Sequence, residues 1–164
     1  MTHIAYISIG SNIGDRAENC RQAMASLEAT DGIDVLARSQ LFLTEPVDYV
    51  EQPWFVNAMV KVRTSLEPLA LLAVLKGIER LAGRLEQPVR FGPRVLDLDI
   101  LFYDDRVLNS ETLVLPHPRM HQRHFVLRPF CDIDPNVEHP VYKKNIRQLF
   151  DLLGEQGQKV RVYE

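Results

Sequence analysis

Apolar and polar positions along the chain mark out a succession of elements. His3–Ile9 is a short apolar run rich in β-forming residues and predicts a strand. Gly10-Ser11-Asn12-Ile13-Gly14 breaks it, and Asp15 can cap a helix from Arg16 to about Ala29, with Cys20, Ala23 or Met24, and Leu27 at helical spacing. Val35–Leu43 and Phe55–Val62 predict two more strands. Between them, Thr44–Pro53 contains Pro46 and Pro53 and no periodicity, so it predicts a loop. Ser65 and Pro68 open a second helix. Its stripe of Leu71, Leu75, Ile78, Ala82 and Leu85 steps by four and three, with Pro88 as the stop. Val95–Tyr103 predicts the clearest strand, with Leu96, Leu98, Ile100 and Phe102 at its even positions. An Asp104-Asp105 turn, a short Arg106–Leu108 strand, an irregular region over Pro116–Pro129 and an amphipathic Asn145–Leu153 helix closed by Gly154 complete the pattern.

The order β-α-β-β-α-β predicts an α/β (α+β) fold, a ferredoxin-like sandwich with C-terminal additions, in one domain over residues 1–164. Its two helices would cover one face of an antiparallel sheet and leave the other face or the rim for a ligand. Composition narrows the function classes. A hydrophobic content of 46% with 25% charged residues excludes a wholly disordered chain. Nineteen basic against 22 acidic residues, a formal charge of −3, provide no long-range positive field for nucleic acid, so any anion site is local. The apolar runs fall far short of the roughly 20 residues a membrane span needs. The N-terminus has no basic segment followed by an apolar one, and so does not read as a signal peptide. Cys20 and Cys131, far apart, read as reduced thiols of a cytoplasmic protein.

The candidate chemistry centres on Asp97 and Asp99. Alternation in a strand puts both on one face, opposite Leu96, Leu98 and Ile100, with Cα atoms ~6.5–7 Å apart. Carboxylates at that separation repel by ~2.4 kcal/mol at an effective dielectric of ~20, a cost that a divalent cation removes, and hard carboxylate oxygens suit Mg²⁺. A solvated face of an edge strand explains the same pair. Arg84, Arg90 and Arg94 precede this strand in a stretch containing Gly83, Gly92 and Pro93. Arginine forks match phosphate oxygens, and Mg²⁺ commonly binds through carboxylates and substrate phosphates together. Surface arginines balancing nearby acids are the alternative. Gly10-Ser11-Asn12 resembles a phosphate-cradling turn without the Lys of a P-loop, and reads more simply as a strand-to-helix turn. The prolines around His117 argue against a helix carrying His117 and His121 as zinc ligands, and favour His117 as a phosphate donor beside Arg123. Phe55 and Asn57 share a strand face. With Phe125 they could clamp a flat heterocycle, or the phenylalanines could simply be core.

Taken together, these motifs resemble the 6-hydroxymethyl-7,8-dihydropterin pyrophosphokinase family of folate biosynthesis. The most specific match is the run Arg90-Phe91-Gly92-Pro93-Arg94-Val95-Leu96-Asp97-Leu98-Asp99-Ile100-Leu101. It is supported by Ile9-Gly10-Ser11-Asn12, Thr44-Glu45-Pro46, Gln52-Pro53-Trp54-Phe55-Val56-Asn57, Glu79, Gly83-Arg84 and Pro116-His117-Pro118-Arg119-Met120 with Arg123 and Phe125. The resemblance implies a monomer that moves the β,γ-diphosphate of ATP onto the pterin hydroxymethyl oxygen. Asp97 and Asp99 would hold two Mg²⁺ on the ATP phosphates, and Arg84, Arg94, His117 and Arg123 would contact those phosphates. Lys76, Glu79, Phe91 and Ile100 would belong to the nucleotide side. Phe55 and Phe125 would sandwich the pterin, with Asp97 nearby, while Asn57 and main-chain groups of Thr44 and Val47 read its polar edge. Arg84, Arg94, Asp97 and Asp99 would carry the catalysis. The chain departs from the family at Glu86, where many members have a phosphate-binding arginine, and at Phe91, Asp48, Trp54, Lys76 and Val114. Glu86 keeps a second reading open, a module that holds ATP or a pterin without turnover. An RNA-binding ferredoxin-like domain is a third, disfavoured by the net charge.

Overall fold

The computed structural model describes residues 1–47, 50–83 and 94–164. The central sheet is built on β1 (His3–Ser11), which pairs antiparallel on one side with β4 (Phe55–Thr64) and on the other with β5 (Asp97–Tyr103). β2 (Ile33–Arg38) and β3 (Phe42–Thr44) pair with successive halves of β4, and a C-terminal strand, β8 (Val160–Val162), extends the sheet beyond β3. The expected Val35–Leu43 strand is therefore two. At the break, the Ser39 hydroxyl takes the Met59 N–H in place of a main-chain carbonyl, which interrupts the ladder.

One face of the sheet carries α1 (Arg16–Glu28) and α2 (Pro68–Leu81). Asp15 caps α1 by accepting from the Glu18 N–H, and Pro68 starts α2 where a missing N–H costs nothing. Cys20, Met24 and Leu27 of α1 and Leu71, Leu75 and Ile78 of α2 bury against Ile7, Ile9, Val56, Ala58, Leu98 and Ile100. The α2 stripe ends sooner than expected. Its C-cap is Ala82, which is exposed, and Leu85 and Pro88 lie outside the described residues.

Two further helices occupy half of the other face. α3 (His124–Ile133) forms in the region expected to be irregular, with Pro129 inside it, because Val126, Leu127 and Phe130 bury together. α4 (Ile146–Leu153) starts from a reciprocal Asn145–Gln148 capping box and buries Ile146 and Leu149 in the same cluster. That cluster rests on Tyr6, Met59, Leu101 and Phe102. A register shift between Tyr6/Phe102 and Ile7/Ile100 is a β-bulge. It carries Phe102 into the second core, away from the face shared by Leu98 and Ile100. The short strand expected at Arg106–Leu108 is β6 (Leu108–Asn109), paired with β7 (Val114–Leu115) in a separate two-stranded ribbon. No helix among the described residues is long and apolar enough to cross a membrane. The half of the second face that α3 and α4 leave open holds the cleft.

Candidate active site

Strand register builds the cleft floor. Asp97 pairs with Gly10 and Asp99 with Ser8 across β1–β5, while Gly10 pairs with Asn57 across β1–β4. Asp97, Gly10 and Asn57 therefore form one row over three strands. Alternation turns this row to the face opposite the buried Leu98 and Ile100. The row lines a cavity of about 420 Å³, with Phe55 from β4 and Thr44 and Val47 from the end of β3 and its following loop. Lys76 of α2, Arg94, His117, Arg123 and Phe125 complete the expected site residues found there.

Three acids meet at the β5 end. Burial, then Asp97, then Glu79 raise the Asp99 carboxyl well above the usual carboxylate range, while Arg123 and Lys76 pull it back. Arg94 Nη1 stands 3.9 Å from Asp97 Oδ1. Glu79, only 2% exposed, does not line the cavity. Its Oε2 accepts the Leu98 N–H at 2.7 Å, the amide between the two aspartates, and its Oε1 is 3.4 Å from Lys76 Nζ. It thus braces the free edge of β5. Ile100 is also away from the cavity; its side chain is packed in the first core. Burial and the Arg123 charge push His117 down to about 4, so its ring is neutral at ordinary pH. Its Nδ1 accepts the Arg119 N–H at 3.2 Å, which leaves Nε2 to carry the proton.

Asp97 and Asp99 offer hard oxygen donors. Among the described residues no group of three or more His, Cys, Asp and Glu side chains could hold a metal alone. Two carboxylates under-coordinate a cation by themselves, yet suit Mg²⁺ when a polyphosphate supplies the remaining oxygens. The cations around them suit that same polyphosphate.

The opposite end combines apolar walls with a fixed amide from β4. Asn57 is buried, its Oδ1 accepting from the Thr44 hydroxyl and its Nδ2 donating to the Ile9 carbonyl at 3.4 Å. Phe55 and Phe125 are half-buried at the cavity wall, and the Arg123 guanidinium lies 5.3 Å from the Phe125 ring centre. Arg84 and Phe91, expected on the nucleotide side, lie outside the described residues, as do Arg90, Glu86 and Asp48.

Two features escaped the sequence reading. Asn12, in the strand-to-helix turn, is a clasp: its Oδ1 accepts the Arg94 N–H at 2.7 Å, and its Nδ2 donates to Gln52 Oε1 at 2.8 Å and the Pro53 carbonyl at 3.0 Å. Gln158 also lines the cavity, from a C-terminal segment with no motif to signal it.

Comparison with known proteins places the chain in a family. Residues 6–135 match the model of the 7,8-dihydro-6-hydroxymethylpterin-pyrophosphokinase (HPPK) family. A Bacillus subtilis 2-amino-4-hydroxy-6-hydroxymethyldihydropteridine pyrophosphokinase is 45% identical over 138 residues, covering 84% of this chain and 82% of the relative. The folic acid synthesis protein fol1 of Schizosaccharomyces pombe is 41% identical over 98% of this chain, which spans only 21% of that longer protein. Among solved structures, wild-type Plasmodium falciparum HPPK-DHPS with pterin and p-hydroxybenzoate superposes with a TM-score of 0.72 at 20% identity, over 92% of this chain and 43% of that one, a likeness of fold. The chain belongs to the 7,8-dihydro-6-hydroxymethylpterin-pyrophosphokinase family, ATP-dependent enzymes that transfer diphosphate to that pterin in folate synthesis.

Proposed function

We propose that this cleft is where the family's transfer takes place in this chain, with ATP over Asp97 and Asp99 and the pterin between Phe55 and Phe125. The observation that carries the reading is the row Asp97–Gly10–Asn57. It sets a metal-binding carboxylate and a heterocycle-reading amide two strands apart, roughly 10 Å. A bicyclic ring with a one-carbon arm can bridge that span.

At the pterin end, the amide of Asn57 has both a donor and an acceptor to offer beyond its bonds to Ile9 and Thr44. Main-chain groups of Thr44 and Val47 extend this polar edge, and the two phenylalanine rings exclude water from the flat faces. At the nucleotide end, Asp97 and Asp99 would hold two Mg²⁺, and Lys76, Arg94, Arg123 and the Nε2–H of His117 would hold phosphate oxygens. Arg84 and Phe91 belong to the same side in this reading. The Leu98 N–H points away from β1 to Glu79, so Ile100, two residues on, turns its own main-chain groups to the same free edge, where a base can be read.

In the reaction the hydroxymethyl oxygen attacks the β-phosphorus of ATP. The bond from that phosphorus to the bridging oxygen of the α-phosphate breaks, AMP leaves with that oxygen, and the hydroxyl proton passes to water. Bound Mg²⁺ supplies charge neutralisation and lowers the pKa of the alcohol. The protein's part is alignment and fixed positive charge, which phosphoryl-type transfer needs more than a covalent intermediate. Hence no separate general base is assigned. The enzyme acts in the cytoplasm as a monomer in this reading.

Coupled measurement of AMP release tests it. AMP should form only when 6-hydroxymethyl-7,8-dihydropterin, ATP and Mg²⁺ are all present. ATP binding with no AMP over hours would contradict turnover and favour a holding module.

A further inference from the structure

The C-terminal segment reaches the pterin end of the cleft through a single side chain. β8 pairs with β3 with Thr44 opposite Val160, and the pairing continues past the strand ends: the Glu45 N–H donates to the Lys159 carbonyl at 2.9 Å and the Lys159 N–H to Glu45 Oε1 at 3.4 Å. Gln158, one residue further, lies between two walls of the cleft. Its Oε1 accepts the Phe125 N–H at 3.0 Å, and its Nε2 donates to the Glu45 carbonyl.

Both partners have a physical need for it. Phe125 sits in the first turn of α3, where backbone N–H groups have no intrahelical acceptor, and the N-cap residue Arg123 provides no side-chain cap. The Glu45 carbonyl belongs to the chain between Thr44 and Val47, whose main-chain groups read the pterin edge in the function proposed above. A side-chain amide offers a donor and an acceptor from one planar group, and so can serve both partners at once. Gln158 also lies beyond residues 6–135, the span that matches the family.

We propose that Gln158 is a positioning residue for the pterin subsite. It sets the separation between the stacking ring of Phe125 and the main chain that reads the heterocycle edge. This inference rests on the pterin occupying that end of the cleft. It makes the C-terminal segment a determinant of pterin affinity in this chain.

Steady-state kinetics of Gln158→Met and Gln158→Glu, with Asn57→Ala in parallel, test it. The methionine keeps the length and loses both hydrogen bonds. The glutamate keeps the acceptor for Phe125 and loses the donor for Glu45. The expected result for Gln158→Met is a pterin KM raised about tenfold, with ATP KM within twofold of wild type and kcat within threefold; Gln158→Glu shows the same split. If the methionine variant does not fold, the glutamate variant decides. A folded variant with unchanged pterin KM, or one in which both KM values and kcat move together, overturns the proposal. If Asn57→Ala raises pterin KM while the Gln158 variants do not, only the Gln158 role fails. If none of the three moves it, the pterin assignment fails as well.

Discussion

Gly10 and Asn57 face each other so closely across β1 and β4 that a Cβ at Gly10 would stand 2.6 Å from Asn57 Nδ2. The amide of Asn57 is tied to Thr44 and Ile9 and cannot swing aside without losing those bonds. Gly10→Ala should therefore act on the pterin subsite first. The expected outcome is a pterin KM raised at least tenfold, with a stability loss of about 1–3 kcal/mol from overpacking. Pterin titration and denaturant unfolding of the variant check both.

Asp99 is held at a cost to the metal-free protein. A carboxyl raised by burial and by two neighbouring acids favours folding below the ordinary carboxylate range, and that contribution is lost as pH rises through its raised folded value. In Mg²⁺-free buffer above neutrality, Asp99→Asn should be more stable than wild type by about 1–2 kcal/mol, or roughly 2–8 °C in Tm. Activity should be lost in the same variant. Melting curves in chelator at pH 8 provide the check; a lower Tm for Asp99→Asn would contradict the account.

A buried histidine sets an acid limit. His139 is 2% exposed, and its Nδ1 accepts the N–H groups of Val141 and Tyr142, so the ring folds neutral. Burial, then the neighbouring His121, lowers it to about 4 from an ordinary 6.5. The unfolded chain takes up the proton first, so stability is intact above 6.5 and falls as pH drops through 4. The loss attributable to this group is roughly 3 kcal/mol. His139→Gln should flatten this part of the stability curve, with His117 supplying a remaining slope of the same sign. Urea midpoints measured from pH 7 to pH 4 are the test.

Much of the site was legible because it lies on regular elements. Strand alternation alone put Asp97 and Asp99 on one face, and the four-and-three spacing of Leu71, Leu75 and Ile78 marked the buried side of α2. What was hidden depended on distant contacts. The region over Pro116–Pro129 reads as irregular, yet Val126, Leu127 and Phe130 fold part of it into a helix by burying together. The bulge that sends Phe102 to the second core answers to Tyr6 and Phe130 packing, which local pattern does not encode. β8 is three residues long and acquires its place only by adding to the edge of β3. Gln158 inherits that invisibility. The support that the Glu79 carboxylate provides to β5 was equally hidden, because it depends on the Leu98 N–H facing away from β1.

In the proposed function Asp97 and Asp99 together grip the metal-bound phosphates of ATP. AMP release by Asp97→Ala, at saturating ATP, pterin and Mg²⁺, tests it most directly. The expected rate is at least a thousandfold below wild type, roughly 4 kcal/mol of lost transition-state stabilisation, in a protein that still folds. A folded Asp97→Ala enzyme turning over within tenfold of wild type would contradict it.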